Sequence, residues 1–201
     1  MEKLKTLAIA ILLSGFLFVG CSKEENDHHS SNYLKLGGSK YDLQQGVLEN
    51  FGSKGNSSNK FNLTLLSAGF TIHEFDEVFD SISGTGHGVY FVLYSSSSEK
   101  LEIGDYVYDS YASGESKSYD YADGVINYNT QTEEGSYLEI TNGTLSILQN
   151  SETYEISFNG TDDDISFYYK GSLNDYDYSE HVSESTAYPK SITLKAELRI
   201  Q

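Results

Sequence analysis

The chain has 201 residues, a net charge of −17 and a mean hydropathy of −0.43. So strong a negative charge excludes nucleic acid as a partner, because phosphates attract cationic surfaces, and it argues against charge-driven adhesion to anionic lipid. The chain contains 17 tyrosines and 10 phenylalanines but one proline and no tryptophan. This composition is typical of β-strands joined by polar turns.

The first 20 residues have the three parts of a secretory signal. Two lysines precede an apolar run from Leu7 to Val19, and Gly20 supplies a small residue before Cys21, the only cysteine of the chain. The apolar run is about 13 residues long, shorter than the ~18 to 20 that a helix needs to span a membrane. A buried core helix is the other alternative, and it fails because no apolar segment follows directly after Cys21.

The residues that end this segment, Leu17-Phe18-Val19-Gly20-Cys21, resemble a lipobox. A lipobox is the signal at which a bacterial pre-lipoprotein is acylated on cysteine and then cut before that cysteine. The resemblance implies that residues 1–20 are removed and that Cys21 carries the fatty acyl chains, such as palmitate, that hold the protein at a membrane.

Residues 21–32 are predicted to be the lipidated cysteine and a solvated acidic tether, because residues 22–32 contain no apolar side chain. Within the tether, Lys23, Glu24 and Glu25 resemble the export signal of Bacteroidota lipoproteins. This resemblance implies a surface-exposed lipoprotein on the outer face of the outer membrane. The alternative is a plain acidic linker and a domain that faces the periplasm.

Residues 33–201 are predicted to form a single all-β domain. Tyr33–Leu36 and residues 39–43 flank Gly37-Gly38, which is a strong hairpin signal because the favoured turn needs positive φ angles. Further strands are predicted at residues 46–51, 61–65, 89–94, 106–108, 124–128, 137–140, 144–148, 154–158, 165–173 and 192–200.

Two of these strands have informative patterns. Residues 61–65 alternate apolar and polar side chains, which predicts a half-buried strand with Asn62 and Thr64 on the other face. Residues 89–94 are apolar on both faces and predict a central strand. Short strands at this spacing favour an antiparallel β-sandwich, with a closed lipocalin-like β-barrel as the alternative.

Residues 70–88 are irregular, long and rich in aromatic and acidic side chains. They are predicted to form either a binding surface or a packed excursion whose phenylalanines lie under the sheet as a satellite core. Aromatic side chains of this segment and of the tyrosine-rich segments are the candidate ligand contacts: Phe75, Phe79, Tyr111, Tyr121, Tyr176 and Tyr178.

The tripeptide Asp80-Ser81-Ile82 resembles the Bacteroidota O-glycosylation motif, which implies a glycan on Ser81. More broadly, the opening hairpin and the later strands resemble the uncharacterised surface lipoproteins common in Bacteroidota. That resemblance implies no catalytic residues.

No catalytic constellation stands out. The 30 acidic residues make chance carboxylate pairs uninformative, and the densest clusters, at 162–164 and 175–180, are interpreted as solvated acids rather than calcium ligands. The histidines have no zinc-binding pattern. We therefore expect no metal, no cofactor and a non-enzymatic module that binds a glycan or a protein. The alternatives are a lipocalin-like carrier of an apolar ligand and a glycan-active hydrolase with paired carboxylates.

Overall fold

The structure, a computed structural model, describes residues 32–53, 57–76, 78–161 and 165–181. The predictions at Cys21, Lys23, Glu24 and Glu25, the acidic cluster at 162–164 and the strand at 192–200 lie outside these residues. The described part is all-β apart from one short 3-10 helix, Ser179–His181. Within it, no helix has the length and apolar character needed to cross a membrane.

Thirteen strands are found in the described residues. They are β1 Tyr33–Leu36, β2 Ser39–Asp42, β3 Gln45–Ser53, β4 Asn59–Leu66, β5 Phe70–Phe75, β6 Val78–Ser95, β7 Gly104–Tyr108, β8 Ser118–Asn129, β9 Glu134–Glu139, β10 Thr144–Asn150, β11 Tyr154–Asn159, β12 Ser166–Gly171 and β13 Asn174–Asp177.

These strands form one hydrogen-bonded path in the order β13-β3-β4-β6-β8-β7-β10-β11-β12-β1-β2, with β5 attached to β6 and β9 attached to β8. The β13–β3 and β7–β8 pairs are parallel, so the sheet is mixed. It curls strongly into a half-barrel. The predicted all-β class is confirmed, whereas neither the two-sheet antiparallel sandwich nor the closed barrel is formed.

The physical reason for this correction lies in the connections and the bulges. Eleven strands follow one another along a single hydrogen-bonded path, and the β5–β6 hairpin that lies over it shares strand β6 with it, so no independent second sheet is present in the described residues. Register shifts interrupt several ladders, including Gly86/Gly88, Val92/Leu93 and Ile147/Gln149. Because a bulge adds to the right-handed twist of its strand, repeated bulges curl a wide sheet back toward itself.

The concave side of the curl contains the main core. The ring of Phe91 on β6 lies 5.3 Å from the ring of Phe158 on β11 and 5.7 Å from that of Phe167 on β12, and it also contacts Tyr119 on β8 at 5.4 Å. Because β8, β7 and β10 separate β6 from β11 in the strand order, these contacts exist only in a curled sheet. Packed aromatic rings therefore fill the space between its walls.

The convex side carries a second cluster, which we call the outer cluster. Here β5 and the first part of β6 form a hairpin that pairs Ile72 with Ile82 and places Phe70 and Phe79 in this cluster. Its other buried members lie on the sheet and on the segment that follows β13: Val47, Phe51, Leu66, Tyr90, Val92, Val125, Tyr128, Tyr176 and Tyr178. The irregular excursion predicted at 70–88 is thus a regular β-hairpin laid against the sheet.

Two of the predicted local structures are formed, and the acidic segment at 175–177 differs from its prediction. The opening hairpin at Gly37 and Gly38 is confirmed, with φ angles of 55° and 87° at the two glycines. The central strand at 89–94 is confirmed, with side chains in both clusters. The acids at 175–177, predicted to lie in a turn, belong instead to β13, which pairs with β3.

The prediction of a half-buried strand at 61–65 is wrong in one respect. Phe61, Leu63 and Leu65 do face the main core, but Asn62 and Thr64 are also fully buried. The alternation correctly indicated two different faces. It could not indicate that the outer face is covered as well.

Candidate binding site

The tip of the β5–β6 hairpin presents two apolar side chains to solvent. Phe75 pairs with Val78 across the tip, and their side chains are 77% and 37% exposed. Side chains alternate along a strand, so Phe70, Ile72 and Glu74 point toward the sheet while Phe75 points away. We call Phe75 and Val78 the apolar tip.

The six predicted ligand contacts occupy very different environments. Phe75 and Tyr111 are exposed, Tyr111 to 92%, whereas Phe79, Tyr176 and Tyr178 are buried. The burial of Phe79 agrees with the alternative prediction of a satellite core for the phenylalanines of 70–88, whereas the exposure of Phe75 does not. The rings packed in the outer cluster are closed to a ligand in this conformation. The sixth residue, Tyr121, is partly buried, and its hydroxyl donates a 2.8 Å hydrogen bond to Asp123 Oδ2.

Tyr111 lies on the loop after β7, and Asp109 organises this loop. One carboxylate oxygen of Asp109 accepts a hydrogen bond from the Tyr111 backbone N–H at 3.0 Å, and the other accepts one from Ser113 N–H at 2.7 Å. The Ser113 hydroxyl also donates a hydrogen bond to Asp109, and this bond makes the largest contribution to the lowered pKa of Asp109. Tyr111 is therefore an exposed ring on a well-braced loop.

Beneath the hairpin side of the sheet lies a buried set of polar side chains that the sequence did not single out. Glu49 on β3 pairs in register with Asn62 on β4, and Thr64 lies two residues further along β4 on the same face. All three are 0% exposed. The two Glu49 carboxylate oxygens, both polar atoms of the Asn62 amide and the Thr64 hydroxyl have no hydrogen-bond partner outside this set. We call these three residues the polar row.

Burial dominates the electrostatics of this row. Loss of hydration raises the pKa of Glu49 from 4.5 to about 7, although hydrogen bonding by the neighbouring Asn62 amide and the positive charge of Lys60 oppose the rise. A carboxylate buried without an ion-pair partner is costly, so Glu49 holds a proton more readily than an exposed glutamate does.

Two tyrosines close the row on its β13 side. Tyr176 pairs in register with Glu49, and its hydroxyl donates to the carboxylate of Glu74 on the hairpin. Tyr178 packs its ring 5.2 Å from that of Phe51, and burial together with nearby Glu49 raises the pKa of Tyr178 to about 12. The row thus has polar groups at its floor and aromatic rings at its side.

Asp123 on β8 is the other buried carboxylate of this face. It lies three strand positions from Glu49, across β4 and β6. Neighbouring strands are ~4.8 Å apart, so the two backbones are separated by roughly 14 Å. Glycosidases place their two carboxyl groups about 5 to 10 Å apart, so this arrangement offers no evident catalytic pair.

The remaining candidates occupy separate places. Ser81 lies on the exposed side of the hairpin, where its hydroxyl donates a 3.0 Å hydrogen bond to Asp80, so the predicted glycosylation site is accessible and stays a prediction. In the described residues, no group of three or more His, Cys, Asp or Glu side chains is arranged to hold a metal ion.

An open cavity of about 380 Å³ lies elsewhere, between β9 and the ends of β1 and β12. Its lining includes Leu36, Leu138 and Ile165, which border the filled main core. It is therefore a depression in the wall of the half-barrel.

Comparison with protein-family models, with curated proteins and with solved structures finds no match to this chain. The candidate site consists of the apolar tip on the outside of the hairpin and the polar row beneath it.

Proposed function

We propose that this protein is a lipid-anchored, non-enzymatic binding module on the outer face of the outer membrane, which holds a glycan or a protein through the apolar tip of its β5–β6 hairpin. The single observation that carries the binding role is the 77% exposure of Phe75 beside Val78. An aromatic side chain that a regular strand directs into water is a good anchor for a partner.

The surroundings of the tip favour a protein over a neutral glycan. Asp76 and Asp80 flank the apolar pair and are exposed. Acidic groups around an apolar contact fit a partner surface with basic groups around an apolar pocket, and such complementarity increases the association rate and the specificity. A glycan is the second candidate, because aromatic rings also stack on sugars.

Two observations argue against the alternative functions. A carrier needs a hollow interior, but the rings of Phe91, Phe158 and Phe167 pack against one another inside the curl. A hydrolase needs two close carboxylates, and Glu49 and Asp123 are separated by two intervening strands. A binding role needs only the exposed tip.

The lipid anchor is proposed from the lipobox-like sequence at Cys21. The location on the outer face is proposed from the export-like residues Lys23, Glu24 and Glu25. These residues support a lipoprotein whose domain reaches outward on an acidic tether. The hairpin would then be presented to molecules outside the cell, with the periplasm-facing orientation as the alternative.

The test is a glycan-array and pull-down screen with residues 22–201, in parent form and with Phe75→Ala. Leu148→Ala is the matched control, because Leu148 on β10 is also a large apolar side chain and is 51% exposed. We expect Phe75→Ala to weaken capture at least tenfold and Leu148→Ala to leave it unchanged. Equal capture by all three forms would exclude the tip, and hydrolysis of an offered glycan would overturn the non-enzymatic function.

A further inference from the structure

The hairpin joins the sheet through a base rich in glycine. Residues 78–84 of β6 pair with β5, whereas residues 85–94 pair with β8 and residues 88–95 pair with β4. The same strand therefore belongs to both layers and bends between them. Gly84 has a φ of 118° at this bend, and Thr85 N–H donates to the Gly69 carbonyl at 3.1 Å. Glycine accepts such φ angles without steric cost, so these positions are suited to a hinge.

The far end of the hairpin is held by the buried ring of Phe79 and by few polar contacts. The Tyr176 hydroxyl donates to Glu74, and the Phe79 ring lies 5.9 Å from the Tyr176 ring in an edge-on arrangement. Both contacts go to β13, a strand of only four residues at the end of the sheet path. Elements held by few contacts open more easily than core strands.

The buried polar side chains under the hairpin favour the opening of the hairpin. Glu49, Asn62 and Thr64 are 0% exposed, and five of their side-chain polar atoms lack hydrogen-bond partners outside the row. Buried polar groups without partners cost free energy that water, or a ligand with hydroxyl groups, would recover. The closed hairpin is therefore stabilised by its apolar contacts and destabilised by the row beneath.

We propose that the β5–β6 hairpin is a hinged lid and that the polar row, with the rings of Tyr176 and Tyr178 at its side, is a binding site for a small polyhydroxylated ligand that enters when the lid lifts. A carboxylate accepts hydrogen bonds from neighbouring hydroxyls, an amide both donates and accepts, and tyrosine rings pack on apolar sugar faces. This site is distinct from the apolar tip and does not depend on the proposed function.

The charge state of Glu49 controls the lid. The charged and titratable groups around it are Lys60 on β4, Tyr176 and Tyr178 on the β13 side, Glu74 of the lid through its bond to Tyr176, and, further along the face, Asp123 with Tyr121. The pKa of Glu49 is about 7 with the lid closed against an ordinary 4.5. The closed form therefore binds the proton more tightly, and raising the pH through this range favours opening.

Lid opening is measured by amide hydrogen exchange of the full-length protein at pH 5 and pH 8, corrected for intrinsic exchange rates, with β11 as the internal reference. In the parent, the protection of residues 70–84 is expected to fall on the order of 50-fold between these pH values. Glu49→Gln removes the titration at nearly constant shape, so its hairpin should keep the same protection at both. Glu115→Gln, which changes an exposed glutamate on the loop between β7 and β8, is the matched control and should behave like the parent.

The ligand class is tested at pH 8 with glucose, galactose and N-acetylglucosamine as probes. At least one should restore protection of residues 70–84 in the parent and in Phe75→Ala, but not in Asn62→Leu, whose fold is checked by circular dichroism. Restored protection in Phe75→Ala separates this site from the tip. Hairpin protection that does not change with pH, or that changes equally in Glu49→Gln, would overturn the lid. A lid that opens but responds to none of the three sugars would overturn the ligand class.

Discussion

Phe75 and Phe79 differ in sequence position by four residues and in exposure by 75 percentage points, 77% against 2%. The cause is the register of one hairpin. Glu74 pairs with Phe79 on the side that faces the sheet, and Phe75 pairs with Val78 on the side that faces solvent, with a register shift just before the first pair. One aromatic side chain therefore stabilises the fold, and the other is available to a partner.

The first prediction follows from this difference. Phe79→Ala removes a ring that is 2% exposed and should lower the free energy of unfolding by about 3 kcal/mol. Phe75→Ala should change it by less than about 0.5 kcal/mol. Urea denaturation of the two variants measures this, and equal losses would mean that the hairpin does not lie against the sheet as described.

Glu49 shows what a sequence pattern hides at the residue scale. The strand prediction at 46–51 placed this acid beside apolar residues, and a charged side chain in such a run is normally assigned to a solvent face. It is instead fully buried, because the outer face of β3 is covered by the hairpin and by Tyr176 and Tyr178. Only the position of those later segments decides its environment.

At the scale of the element, glycine determines where the hairpin can fold back. A Cβ at Gly84 would lie 2.3 Å from the carbonyl oxygen of Gly69, and the φ of 118° is itself unfavourable for other residues. Neither obstacle involves a flexible side chain that could move aside. The bend of β6 is thus built around a backbone contact between the two legs of the hairpin.

The second prediction uses a pair of glycines. Gly84→Ala should destabilise the protein by about 2 kcal/mol or more, because it combines backbone strain with the contact to Gly69. Gly37→Ala is the control, since Gly37 has a φ of 55° but nothing within 4 Å of its Cβ position, and it should cost about 1 kcal/mol. Thermal unfolding of both variants checks the order, and a larger loss for Gly37→Ala would contradict it.

At the scale of the whole molecule, a net charge of −17 coexists with a sheet whose two faces both pack apolar clusters. A net charge of this size repels anionic surfaces. This charge is consistent with the proposed attachment through a lipid on Cys21 rather than through the surface of the domain.

The third prediction concerns that attachment. Cys21→Ser should abolish metabolic labelling with a fatty acid, because the lipobox offers no other acceptor thiol. Replacement of Lys23, Glu24 and Glu25 by alanine is the companion variant, and it should keep the label but lose digestion by protease added to intact cells. Labelling of Cys21→Ser at the parent level would exclude acylation of Cys21. Equal digestion of the parent and the triple variant would exclude Lys23, Glu24 and Glu25 as an export signal.

The sequence by itself determined the all-β class, the opening hairpin and the central strand, because the turn chemistry at Gly37-Gly38 and the continuous apolar run at 89–94 are local properties of the chain. It could not determine the curled sheet path, the parallel pairing of β13 with β3 or the β5–β6 hairpin folded over the polar row. These depend on which distant strands pair and on how bulges bend them. That long-range packing decides which side chains are exposed and which are buried, including the exposed Phe75 and the buried Phe79 and Glu49. No local sequence pattern carries a signal for it.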